Sequence, residues 1–188
     1  MSFEKDLVNE INELRKNPKA YAEKLVKNKQ YFKENSNNWK HPDAKAGIKT
    51  TEGPAAYDEA IDFLQKKAIA VEELTPSKGL NKIAIDFLTE YQKNANKKVE
   101  IEPILEKHGN YSGSFRRLIE FSAFTPELVI VNLLVSDGDK SRRHREGLLD
   151  DKLKRVGVSH GKHNIYRECT VIVACTKFNN TVDADDTA

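Results

Sequence analysis

Apolar residues recur at helical spacing through the first half of the chain. Phe3, Leu7, Ile11 and Leu14 stand three or four apart with Glu and Lys between them, the pattern of a helix with one buried face. Asn17-Pro18 reads as a stop and restart, because Asn caps a helix and Pro suits its first turn. A second helix then carries Tyr21, Leu25, Tyr31 and Phe32. The periodicity is lost over residues 35–53, a polar loop around the single tryptophan, Trp39. A connection of that length in a compact domain is functional or disordered. Pro54 opens a third helix with Tyr57, Ile61 and Leu64 inward. Pro76 and Gly79 bracket a break, and a fourth helix follows with Leu80, Ile83, Ala84, Phe87, Leu88 and Tyr91 on one face.

The pattern changes after a charged connector at 94–100. Residues 109–114 (Gly-Asn-Tyr-Ser-Gly-Ser) read as a loop and 116–121 as a short strand. Thr125-Pro126-Glu127 is a cap followed by a first-turn proline, and it starts an apolar helix through Val135. Residues 136–145 form a polar turn dense in charge. Residues 156–159 and 166–178 are rich in β-branched side chains and read as strands. Helices therefore come first and strands last, which predicts one α+β domain over 1–178, a small antiparallel sheet with helices packed on it. Residues 179–188 are an acidic, polar tail.

Composition narrows the function classes. Lys and Arg number 31 and Asp and Glu 29, a net charge of +2 across 188 residues. A nucleic-acid binder carries a clear basic excess. No apolar run approaches the roughly 18 residues of a membrane span. The first residues, Met-Ser-Phe-Glu-Lys-Asp, lack the apolar segment of a secretory signal. Cys169 and Cys175 fall in one predicted strand, about 20 Å apart at strand rise, too far for a bridge. Two free thiols on one face of that strand suit a reducing, intracellular compartment.

The densest chemistry lies in Asp137-Gly-Asp-Lys-Ser-Arg-Arg-His-Arg-Glu146. Three readings remain open. Asp137 and His144 offer a carboxylate and an imidazole to a metal. Arg142, Arg143 and Arg145 offer an anion site. The segment is otherwise a solvated turn with local ion pairs. His160 and His163, in His-Gly-Lys-His, read as a weak chelate or an exposed turn. His41 and His108 stand alone, as structural or exposed residues. The chain has no phosphate-binding Gly-rich loop, no Gly-x-Ser-x-Gly and no Cys-x-x-Cys.

Several segments together resemble the CAP superfamily (cysteine-rich secretory, antigen 5 and pathogenesis-related proteins, or SCP-like domains), in its cysteine-poor bacterial and protist branch. Residues 9–22 are similar to the family's opening helix and Gly79-Leu-Asn-Lys-Ile-Ala84 to its second. Tyr111-Ser-Gly-Ser114 resembles the loop before the family's Glu-containing segment. Leu134-Val-Ser-Asp-Gly138, Arg143-His-Arg145 and Val156-Gly157 keep the family's order and spacing. Residues 35–65 look like an insertion of the protist branch. The resemblance covers about residues 5–178.

It implies an α-β-α sandwich with a cleft in which two histidines and two acids bind zinc or another divalent ion. Carried over position by position, the first His falls on Phe87 and the first acid on Arg117. The second acid falls on Asp137 and the second His on His144. Half of this tetrad is lost, and a zinc site needs at least three protein ligands. The expectation is a buried polar cluster in which Arg117 pairs with Asp137 beside His144, with no metal or other cofactor. Glu120 or Glu168 restores a ligand only if the register slips. The family's sterol- and fatty-acid-binding members imply a small lipid that no residue here supports.

The expected function is therefore a non-enzymatic, cytoplasmic CAP-like domain. It is expected to bind protein within a larger assembly of cytoskeletal or ciliary type, through Trp39, Arg142 and Arg143. The alternatives are a metal-dependent hydrolase centred on His144 and Asp137, and a lipid-binding module on the helical face near Phe87. Neither nucleic acid nor a membrane span enters any of them.

Overall fold

The computed structural model describes residues 2–93 and 98–180. Most of the 94–100 connector and of the 179–188 tail therefore lies outside the described residues. The element order is α1 (Phe3–Lys16), α2 (Pro18–Lys29), β1 (Asn38–Trp39), β2 (Ile48–Lys49), α3 (Pro54–Lys66), β3 (Thr75–Pro76), α4 (Lys78–Lys93), α5 (Glu102–His108), β4 (Gly109–Phe121), α6 (Pro126–Val135), α7 (Arg143–Leu148), β5 (Arg155–His163) and β6 (Arg167–Asn180). It is an α+β sandwich.

The main sheet runs β3-β5-β6-β4. The β5/β6 and β6/β4 pairs are antiparallel, with Gly157 opposite Val173 and Leu118 opposite Ile172. The sheet is not wholly antiparallel, because the two-residue β3 lies parallel to β5. Pro76 is tolerated there because β3 is an edge.

Period-2 alternation along β6 builds two cores. Ile172 and Ala174 join Leu118, Val156 and Val158 under α1, α2, α3 and α6. Cys169, Val171, Val173 and Cys175 point the other way, under Leu80, Ile83, Phe87 and Tyr91 of α4. Both cysteines are free and buried on that one face, as the spacing predicts. α4 lies very close to β5. A Cβ at Gly157 would stand 2.1 Å from the Leu80 backbone carbon, so glycine is required where helix and strand touch.

Local signals set most helix starts. Ser2 caps α1 by accepting from the Lys5 N–H, Asn17 caps α2 through the Ala20 N–H, and Thr125 caps α6 through the Leu128 N–H. Three expectations are corrected. Residues 109–114 are strand, part of the 13-residue β4, because pairing with β6 outweighs a Gly/Ser/Asn composition. The irregular register between Ser112 and Phe115, with Gly113 at φ +79°, is all that remains of the expected loop. The polar turn at 136–145 gives way to α7 from Arg143 onward. α5 has no counterpart in the apolar pattern, since Ile104 is its only buried residue.

Candidate functional site

The four tetrad positions divide between the two faces of the sheet. Phe87 is fully buried in α4. Across from it, the Arg117 guanidinium lies 4.5 Å from the Phe87 ring centroid and 5.9 Å from that of Tyr91. Arg117 Nη1 donates to the Val99 carbonyl at 2.9 Å. Strand parity explains the placement: Leu118 faces the α6 side, so Arg117 faces α4.

Asp137 sits on the α6 side, just beyond the helix. Its carboxylate accepts from the backbone N–H of Thr51 at 2.6 Å and of Glu52 at 2.8 Å. Ser136 closes α6 at φ 47° and Gly138 follows at φ 80°, which turns the chain back so that Asp137 meets the loop before α3. His144 is half-buried on α7. Burial, then the neighbouring Arg143 charge, lowers its pKa, while Asp139 opposes the shift. Among the described residues no hydrogen bond or ion pair joins His144 to Asp137 or Arg117. The expected Arg117–Asp137 pair is therefore not formed, because the sheet separates the two.

Zinc does not fit this arrangement. Arginine and phenylalanine occupy one half, and the acid of the other half is satisfied by backbone donors. Among the described residues no three His, Cys, Asp or Glu side chains are grouped to hold a metal ion. The two fallback acids are also committed. Glu120, 7% exposed, accepts from Asn132 Nδ2 at 2.8 Å and from the Ala123 N–H at 3.0 Å. Burial pushes its carboxyl up to about 7, against the lowering effect of those two donors. Glu168 faces His160 at 3.3 Å and pairs with Lys162.

The charged segment is a clasp. Arg142 Nη1 and Nη2 each donate to a Glu52 oxygen at 2.8 Å, and its Nε donates to Glu59 at 2.8 Å. Arg145, 2% exposed, donates to the Leu134 carbonyl at 2.7 Å and to Glu59 at 2.8 Å, over the Phe63 ring. Both Glu52 and Glu59 are held below the ordinary carboxyl pKa, first by their arginine hydrogen bonds. Of the three readings, ion pairing describes the segment: Arg143 pairs locally with Asp139, while the pairs of Arg142 and Arg145 reach 83 to 90 residues back.

The three protein-contact candidates fare differently. Trp39 is 7% exposed, and its Nε1 donates to the Asn28 carbonyl at 2.8 Å. It anchors the 35–53 loop and offers no outer surface. Arg142 is spent on Glu52 and Glu59. Arg143 is exposed, and among the described residues its ion pair is with Asp139 at 3.4 Å. His41 lies among the rings of Tyr31, Phe124 and Trp39, and His108 pairs with Asp86. His160 and His163 do not share a site, since three residues along β5 put them on opposite faces.

Arg15 carries no mark in the sequence pattern as a functional residue. It is fully buried and donates to the carbonyls of Glu72, Leu148, Asp150 and Leu153. It thereby fixes the segment leading from α7 into β5. The one available signal is its place on the apolar stripe, one helical turn beyond Ile11.

No helix among the described residues is long and apolar enough to cross a membrane. No family model matches the chain, and no curated protein matches it. Among solved structures, an outer surface protein from Borrelia burgdorferi is similar over 55% of this chain and 77% of its own, at 14% identity and a TM-score of 0.42. A cysteine-rich secretory protein from Staphylococcus aureus is similar over 65% of this chain and 38% of its own, at 17% identity and a TM-score of 0.44. At such identities residue roles do not transfer, and the site is read from this chain's own residues.

Proposed function

We propose that this chain is a CAP-like domain that works by binding protein, as a non-enzymatic component of a larger intracellular assembly. One observation carries the reading. The positions that hold a cation in the family it resembles are spent on internal structure: Arg117 on the rings of Phe87 and Tyr91, and Asp137 on the Thr51–Glu52 backbone. Side chains committed to internal contacts are not available to a bound ion, which leaves the outer surface to carry function.

The rival readings have less support. A hydrolase needs His144 oriented by an acid and facing a reacting group. Asp137 faces away into the loop before α3. A lipid module needs an open apolar lining near Phe87, which is instead sealed beneath Arg117. The groove between α4 and α5, about 440 Å³, is lined by Asp86, Glu90, Lys98, Glu100 and Lys107 among its apolar residues, a charged wall unsuited to an acyl chain.

The test is sedimentation and gel filtration of the native protein from a gently opened cell. Migration with a large particle, and release from it at raised salt, supports the proposal. Migration as a free 21.4 kDa chain overturns it.

A further inference from the structure

We propose that the tip of the β5–β6 hairpin is the docking knob of this domain: Ile165 and Tyr166 enter an apolar pocket on a partner protein whose acidic rim pairs with Arg167. The inference rests on the protein-binding reading above and names the surface and the chemistry of the partner.

The tip departs from ordinary turn chemistry. Residues 164–166 join two long strands, a place for Gly, Asn or Asp. Here Asn164 is followed by Ile165 and Tyr166. Ile165 is 76% exposed, the highest value among the large exposed apolar residues, and Tyr166 is 41% exposed. An isolated exposed isoleucine means little. Here the isoleucine stands beside a tyrosine and an arginine, two residue types enriched at interface hot spots.

The rigidity comes from His163. Its ring is buried, and Nδ1 accepts from the backbone N–H groups of both Ile165 and Tyr166 at 3.1 Å. That assigns the ring proton to Nε2, which donates to the Tyr91 carbonyl at 3.1 Å. The turn is thereby tied to the last turns of α4. The Tyr166 ring packs on Phe121 at 5.1 Å and on His163 at 5.2 Å. The tip has its bound shape before any partner arrives, so little ordering remains to oppose binding.

Backbone strain gathers at the same end of the sheet. Arg167 has φ 71° and Ser122 has φ 86°, and the Ser122 N–H donates to the carbonyl of Glu168, next to Arg167. Non-glycine residues held at positive φ persist where the surrounding structure fixes them, and they cluster at functional sites.

Charge selects the occupant. Arg167 is exposed and makes no ion pair among the described residues. Lys162 is nearby but is neutralised by Glu168, which also faces His160. Arg167 is therefore the one uncompensated side-chain charge at the tip among the described residues, and an acidic group on the partner complements it. A second copy meeting this one tip to tip about a two-fold axis would set Arg167 against Arg167. A lipid surface draws on a larger basic cluster than this tip presents.

The full chain carrying the photo-cross-linker benzoylphenylalanine at position 165 tests this in native extract. The same label at Ile69, itself 72% exposed, is the control. One protein should cross-link from position 165 at least about tenfold more than from 69, through a peptide containing Asp or Glu. Arg167→Glu should abolish that cross-link, and a Lys at the partner's acidic position should restore it. Equal labelling from both positions overturns the proposal. So does cross-linking to a second copy, or to phosphatidylserine-containing vesicles in preference to protein. Loss of the position 165 signal from a chain that still sediments with a large particle rejects this surface and leaves the assembly reading intact. A free monomer rejects both.

Discussion

The Arg117 guanidinium lies 4.5 Å above the Phe87 ring, where the resembled family places an acid and a histidine. Those two positions form a cation–π contact, closed further by the hydrogen bond to the Val99 carbonyl. Introducing the residues of the resembled family should not create a metal site. The Phe87→His/Arg117→Glu double variant should bind no stoichiometric zinc by elemental analysis of the purified protein, because Asp137 and His144 lie on the far side of the sheet. One zinc per chain, lost again in Asp137→Asn, would show that all four positions share a cleft.

The order of helices before strands and the free cysteines were legible because they depend on local period and capping. Ser2, Asn17 and Thr125 each do what their residue type predicts. The site was less legible. Counting positions put Arg117 beside Asp137 and His144, but Asp137 and Arg117 point to opposite faces of a sheet. Only the register between β4 and β6 decides that. Trp39 misled for a similar reason: its neighbours are polar, and its cover comes from α2 through the Asn28 carbonyl. The Arg142 and Arg145 partners lie in α3 and the loop before it, and no local reading connects segments that far apart.

Glu59 is the hub of the clasp, accepting from both Arg142 and Arg145. Glu59→Ala leaves the Arg145 guanidinium buried beside Phe63 with one carbonyl partner. The expected loss is about 2–3 kcal/mol in urea unfolding at neutral pH. Glu59 and Glu52 are held below the ordinary carboxyl value of 4.5. Their contribution is present above that value and lost as pH falls through the lowered folded-state value. Glu59→Gln should therefore flatten the acid limb of the stability profile. A limb as steep as in the unaltered protein would place the acid sensitivity elsewhere.

Glu120 acts in the opposite sense. Burial raises its carboxyl to about 7, so the folded state holds a proton that the unfolded chain releases near 4.5. Stability should fall as pH rises between those values, by about 3 kcal/mol in all. Glu120→Gln removes the titration. Its stability should vary less between about pH 5 and pH 8, whatever its absolute level. Equal slopes in the two proteins would mean that Glu120 ionises at its ordinary value.

Burial pushes both thiols up to about 12. Neither Cys169 nor Cys175 should react with a disulfide reagent in the folded protein at about pH 8, and both should react on unfolding. Titration of thiols in buffer and in denaturant measures this directly. One fast-reacting thiol in buffer would mean that the α4 face of β6 opens.

Arg15 is a fully buried charge outside the apolar cores. Its buried guanidinium binds four separate carbonyls, of which Leu148, Asp150 and Leu153 belong to the passage from α7 into β5. Lysine keeps the charge but is a point donor on a flexible stem, and cannot reach carbonyls set around a planar fork. Arg15→Lys should therefore cost nearly as much as Arg15→Met, about 3–5 kcal/mol, since each leaves buried carbonyls without donors. Lys16, exposed and next in the chain, is the control: Lys16→Met should fall within about 0.5 kcal/mol of the unaltered protein. Urea unfolding of the three variants separates the outcomes. A well-tolerated Arg15→Lys would mean that charge rather than fork geometry holds the α7–β5 segment in place.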